Sequence, residues 1–147
     1  VDLPPEEVDK LDAALRHRDL DNIFLISPTT PDARIRTIVE RATGFIYYVA
    51  VKGVTGSGQL NVTEVAERVS LVRAMTDLPV AVGFGIKDAD SARAVAGVAD
   101  AVVVGSALID QMVRASTADP ALGEIQIQQA AVTLLKSLRE GVDSSLS

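Results

Sequence analysis

The chain has 147 residues, 48% of them hydrophobic and only 3% aromatic, with a mean hydropathy of +0.25, as suits one domain built on an aliphatic core. The absence of cysteine excludes disulfides, thiolate nucleophiles and cysteine metal sites, and a single histidine excludes a multi-histidine metal site. A net charge of −6 and a pI near 4.7 with no basic stripe exclude a nucleic-acid interface, and no apolar run approaches the roughly 20 residues a membrane helix needs, so the expected compartment is the cytoplasm.

The first residues, Val1-Asp2-Leu3-Pro4-Pro5-Glu6-Glu7, read as the end of a strand, a turn and the start of a helix over 5–17. A strand at 22–27 follows, then a helix at 31–42 for which Thr30-Pro31 supplies a cap and an N1 proline. The apolar run 45–50 is the next strand, and the glycine-bearing segment 52–59 follows it. Helix 62–75 places Val65, Val69 and Val72 on one face behind Thr63-Glu64. Strand 79–83, helix 88–98 with Asp88 as cap, strand 101–105, a short helical turn at 107–114 and helix 122–140 complete the chain. Asn61-Val62-Thr63 matches a glycosylation sequon, which carries no weight without a secretory signal.

This alternation is the pattern of βα units on a parallel sheet, and the strands are apolar on both faces, as expected of strands covered on each side. The fold class is therefore α/β. Four complete parallel βα units plus the end of a preceding strand would leave two open sheet edges, which a (β/α)8 barrel of about 250 residues closes. The chain reads as one partial barrel domain over 1–147, the C-terminal half of a TIM barrel truncated at its N-terminus.

Three glycine-bearing turns, Gly53-Val54-Thr55-Gly56, Val82-Gly83-Phe84-Gly85 and Val104-Gly105-Ser106, each close a strand. Their amides can cradle a phosphate because no Cβ blocks its approach, and Gly105-Ser106 also opens a helix, whose N-terminus carries roughly +0.5 charge. The same glycines would serve equally in tight strand-to-helix turns.

The succession LPPEE, IFLISPTTP, GFIYYVAVKGVTG, TDLPVAVGFGI and VVVGSALI, in this order and without a gap, resembles the C-terminal part of the tryptophan synthase α subunit from Val1 to about Gly141. The resemblance implies a (β/α)8 barrel that cleaves indole-3-glycerol phosphate into indole and glyceraldehyde 3-phosphate. It implies no cofactor for that reaction and a PLP-containing β subunit as partner. It implies that Gly56, Gly85, Gly105 and Ser106 bind the substrate phosphate. It implies that the segment 52–59 acts as a mobile lid whose glycines absorb backbone rotation, in which Thr55 would orient a catalytic Asp, and that Tyr47, Phe84 and Leu25 line the indole pocket. The family's catalytic Glu and Asp lie on strands that would precede Val1, so the 147 residues are expected to be inactive alone. The chain departs from the family at Ser57-Gly58-Gln59-Leu60, which lacks the basic residue often found just after GVTG.

Tyr48 must face away from Tyr47 and pack under a helix. Asp2 is read as a turn-bonding carboxylate and His17 as a solvated residue; one histidine without a partner makes no triad. Two other readings share the phosphate rim: a non-catalytic half-barrel that self-associates through its edges and binds phosphate ligands, and another phosphosugar barrel enzyme.

Overall fold

In the computed structural model, the structure describes residues 4–50, 61–83, 85–118 and 123–145. A 3-10 turn at Pro5–Glu7 leads into α1 (Asp9–Arg16); then come β1 (Phe24–Ile26), α2 (Asp32–Arg41), β2 (Ile46–Val49), α3 (Val62–Arg73) and β3 (Val80–Gly83). The chain continues with α4 (Ala89–Ala96), β4 (Ala101–Val103), α5 (Ser106–Ala118) and α6 (Glu124–Asp143). The strands form one parallel sheet in the order β1-β2-β3-β4, so every connection crosses over through a helix.

Several sequence expectations change in detail. The expected helix 5–17 is split at Val8, because Pro4 and Pro5 have no N–H and the first turn closes through a tight Glu7 N–H to Pro4 carbonyl bond of 2.9 Å. Thr30 does not cap α2: its hydroxyl accepts from the Ser27 N–H instead, and Pro31 itself occupies the cap position, not N1. The cap of α3 is Asn61, whose side chain accepts from the Glu64 N–H at 3.3 Å. The turn expected at 107–114 is a helix of 13 residues, since nothing from Ser106 to Ala118 breaks the ladder. The final helix is displaced from 122–140 to Glu124–Asp143.

The largest correction concerns the sheet's two faces. Phe24, Ile26, Ile46, Tyr48, Val80 and Val82 are buried in the core beneath the helices, together with Ile35, Ile38, Val65, Val69, Val72 and Val95. The alternate positions form the opposite face, where Leu25 is 41% exposed, Ala101 is exposed, and Tyr47, Val49 and Val103 are half-buried. Among the described residues the helices cover one face only, so apolarity on both faces does not here mean cover on both. The interior face of a barrel is as apolar as its helix-covered face, because opposing strands cover it. Tyr48, 1% exposed, packs on the helix side as expected, and burial pushes its phenol pKa up, with Arg68 opposing and Glu64 reinforcing the shift.

Polar pins hold the elements in place. Asp100 accepts from the Val80 N–H at 2.8 Å and from Arg73 at 2.8 Å, tying the starts of β3 and β4 to α3. Burial raises the Asp100 pKa, but these two donors outweigh it and hold the carboxyl below its usual range. Helix α6 packs on α4 and α5, and its end lies directly on the first turn of α4. A Cβ at Gly141 would collide with the Ala89 carbonyl oxygen and lie 2.9 Å from Ala89 Cα, a backbone neighbour that cannot rotate away. We therefore expect Gly141→Ala to destabilise the chain by about 1–3 kcal/mol, although alanine is the better helix former. Thermal unfolding checks this: a raised midpoint would contradict the close packing of α6 on α4.

Candidate functional site

The C-terminal ends of β3 and β4 define the site. Gly83 and Val103 are register partners, and each strand reaches a glycine two residues later, Gly85 after β3 and Gly105 after β4. Both glycines thus leave the sheet from one rung of a parallel ladder, whose strands lie about 4.8 Å apart. Both are exposed, and a Cβ built on either would meet nothing within 4 Å. Gly85 has φ +77°, a conformation that side chains strain to adopt, so glycine is required there by backbone geometry alone. Gly105 is not in the left-handed region, so only the open space beside it matters.

The two helices that begin here differ in charge. At α4, Asp88 Oδ1 accepts from the Ser91 N–H at 2.9 Å, and the Ser91 hydroxyl accepts from the Asp88 N–H at 3.2 Å, a closed capping box. The Ser91 side-chain and backbone bonds hold the Asp88 carboxyl below its usual pKa, so a fixed negative charge occupies this helix end. At α5, Gly105 offers its carbonyl to the N–H groups of Leu108 at 3.0 Å and Ile109 at 3.4 Å, and Ser106 is the first helical residue. Each of α1, α2, α3, α4 and α6 has an acidic residue in its first turn, whereas α5 has none. Its N-terminal dipole is left uncompensated, next to the paired glycines.

Of the expected pocket residues, Leu25 and Tyr47 are register partners on the open face, in one row with Ala81 and Ala101. The Tyr47 ring leans toward the strand ends and lies over Gly83, where an added Cβ would sit 2.5 Å from its hydroxyl and 2.8 Å from Cε2. Gly83, the last residue of the expected strand 79–83, does end β3, and its missing side chain makes room for Tyr47. Thr55, Gly56, Phe84, Asp2 and the expected lid at 52–59 lie outside the described residues. Arg68 was also missed: from α3 it donates to the carbonyls of Pro28 at 2.8 Å and Thr30 at 3.0 Å, fixing the turn after β1. An arginine on a polar helix face gives no sequence signal of such a tie.

A separate cleft of about 440 Å3 runs along the free edge of β1, lined by Pro5, Val8, Ile23, Leu25, Arg34 and Val49 among others. Of the expected site residues it contains only Leu25. No cluster that could hold a metal ion occurs among the described residues.

A family model described as "Tryptophan synthase alpha chain" matches residues 1–139. The tryptophan synthase alpha chain of Marinobacter nauticus is 49% identical over 144 residues, covering 98% of this chain and 52% of that one. That of Thioalkalivibrio sulfidiphilus is 50% identical over 143 residues, covering 97% and 52%. Among solved structures, tryptophan synthase subunit alpha from Legionella pneumophila superposes with a TM-score of 0.78 at 37% identity, covering 98% of this chain and 50% of that one. Tryptophan synthase from M. tuberculosis in its aminoacrylate-bound form gives 0.74 at 31% identity, covering 96% and 48%. The chain spans about half the length of the relatives it matches.

The contact between Tyr47 and Gly83 gives a direct check on how the open face is built. Gly83→Ala should cost about 1–3 kcal/mol with Tyr47 present and little with Tyr47→Ala, a coupling that a double-mutant cycle measures by denaturant unfolding. Additive effects would mean that the ring does not rest on Gly83.

Proposed function

The chain belongs to the tryptophan synthase alpha chain family, and from that premise we propose that it is the phosphate-holding half of a lyase that cleaves indole-3-glycerol phosphate. The observation that carries this reading is the uncompensated N-terminus of α5, set beside two glycines with open approach at neighbouring strand ends. A phosphate dianion would take N–H donors from Gly85, Gly105 and Ser106 together with the Ser106 hydroxyl, and Gly56 would add a fourth backbone donor. Binding by amides and a helix end needs no lysine or arginine, consistent with a chain of net charge −6. The carboxylate at Asp88 directs the anion away from α4 and toward α5.

On the open face, Leu25 and Tyr47 would form one wall for the flat indole ring, and Phe84 would line the same pocket. Holding both ends of the substrate aligns the bond between the indole ring and the glycerol chain for a retro-aldol cleavage. In that reaction the ring carbon gains a proton, the carbon–carbon bond breaks, and the neighbouring hydroxyl loses its proton as it becomes the aldehyde. The proton transfers would fall to a Glu, and stabilisation of charge at the indole nitrogen to an Asp, both outside these 147 residues. Thr55 would orient that Asp. Indole would then pass to a PLP-containing β subunit. No cofactor is needed for the cleavage itself.

Calorimetric titration with glycerol 3-phosphate tests the reading. The chain should bind it, Gly105→Val should abolish binding by filling the approach path, and Ser106→Ala should weaken it by about 1–2 kcal/mol, the worth of one bond to a charged group. Unchanged affinity in Gly105→Val would remove the assignment. The 147 residues alone should release no indole from indole-3-glycerol phosphate; turnover above background would show that the catalytic carboxylates are within them.

A further inference from the structure

The turn after β1 is held more firmly than its own closure requires. Ser27 and Thr30 already close it: the Thr30 N–H donates to the Ser27 carbonyl at 3.0 Å, and the Thr30 hydroxyl accepts from the Ser27 N–H at 3.0 Å. Arg68 then reaches across from α3, donating through Nη2 to the carbonyls of Pro28 at 2.8 Å and Thr30 at 3.0 Å, while Nη1 meets Asp32 Oδ1 at 3.3 Å. With Asp32 61% exposed, the ion pair itself contributes little; the planar fork fixes two peptide planes and the first residue of α2 together. Ordering a turn costs conformational entropy, and a turn ordered beforehand does not add that cost to the binding of a ligand.

Ser27 is the residue that this bracing presents. Side chains alternate along a strand, so half-buried Ser27 follows Leu25 on the open face. Leu25 stands in one row with Tyr47, Ala81 and Ala101; two residues on, Ser27 falls level with Val49, Gly83 and Val103, and Gly85 and Gly105 come one row later. At about 3.3 Å of rise per residue, Ser27 is midway in height between the proposed indole wall and the proposed phosphate seat. Among the described residues of its row it carries the one polar side chain, the others being two valines and a glycine. Thr30 Oγ1, having accepted from the Ser27 N–H, has its own proton to give to Ser27 Oγ at 3.1 Å, and exposed Thr29 Oγ1 lies 3.0 Å from the same oxygen. A serine hydroxyl that accepts from Thr30 keeps a proton of its own to donate.

We propose that the Ser27 hydroxyl hydrogen-bonds a hydroxyl of the three-carbon chain that links the indole ring to the phosphate, and that Arg68 is the positioning residue that holds Ser27 in place for it. The inference rests on the phosphate seat proposed above and adds to it a preference for a hydroxylated chain. Arg68 touches no part of the ligand; it acts through the carbonyls of Pro28 and Thr30 on either side of Thr29.

Calorimetric titration with two phosphate monoesters of equal chain length is the test: glycerol 3-phosphate carries two hydroxyls and n-propyl phosphate carries none. The chain should prefer glycerol 3-phosphate about three- to tenfold, the span of one net hydrogen bond. Ser27→Ala should cut that preference below about twofold and leave the affinity for n-propyl phosphate unchanged, whereas Ser27→Thr, which keeps the hydroxyl, should retain the preference. Arg68→Gln should behave as Ser27→Ala does, with helicity by circular dichroism unchanged. Equal affinity of the unaltered chain for the two esters, or a preference that survives Ser27→Ala, would overturn the Ser27 contact and leave the phosphate seat standing. A preference that survives Arg68→Gln, or a loss of both affinities in that variant, would overturn the positioning role. Binding of neither ester by the unaltered chain would overturn the phosphate seat and this inference with it.

Discussion

The parallel pairing of β2, β3 and β4 is the constraint on which the rest depends. In a strand, successive side chains point to opposite faces, so fixing Ile46 opposite Val80 and Val82 opposite Val102 decides every other orientation. One set, from Phe24 to Val82, meets the helices and becomes the core. The other set, Leu25, Tyr47, Ala81 and Gly83, is left facing away from them. A slip of one residue would bury Tyr47 and expose Tyr48, exchanging open face for core. The Asp100 pin on the Val80 N–H and Arg73 opposes such a slip at the base of the sheet.

The same register brings Gly85 and Gly105 to a common height and lets the two following helices be compared. Both begin at the sheet's C-terminal edge, where open α/β folds and barrels gather their ligands. One helix end is neutralised from within by Asp88, and the other is not. An unneutralised helix N-terminus stabilises an anion by roughly 0.3–2 kcal/mol, several-fold in affinity, before any direct hydrogen bond is counted. The contrast between α4 and α5 therefore favours α5 as the seat of the proposed phosphate without invoking a cationic side chain.

Much of the fold could be read from the sequence because βα alternation imposes strong local signals. Short β-branched runs separated by amphipathic stretches located all four strands, with ends misjudged by one or two residues where pairing frays, as at Gly105. Asp88 as a cap was legible from residue type and position. Asn61-Val62-Thr63-Glu64 carried its own cap signal, obscured by Thr63-Glu64 and by the sequon it also spells. The uncovered face was illegible for a physical reason: a strand facing a barrel interior and one facing a helix are equally apolar. Contacts between distant segments were illegible too. Gly141 falls just past the expected helix 122–140, and only its approach to Ala89 shows why a side chain is refused there. Of the candidate site, Gly85, Gly105, Ser106, Leu25 and Tyr47 were expected from the family's motifs alone, and the register accounts for Gly85 beside Gly105 and for Leu25 beside Tyr47.

The rung shared by β3 and β4, continued into α5, is the proposed seat for a phosphate monoester. An amide-resolved NMR titration of the chain with glycerol 3-phosphate reads this residue by residue. Saturable shifts are expected, largest at the Gly85, Gly105 and Ser106 amides, with the first turn of α4 from Asp88 to Ser91 little changed. Shifts centred on that first turn of α4, or no saturable change at Gly105 and Ser106, would contradict it.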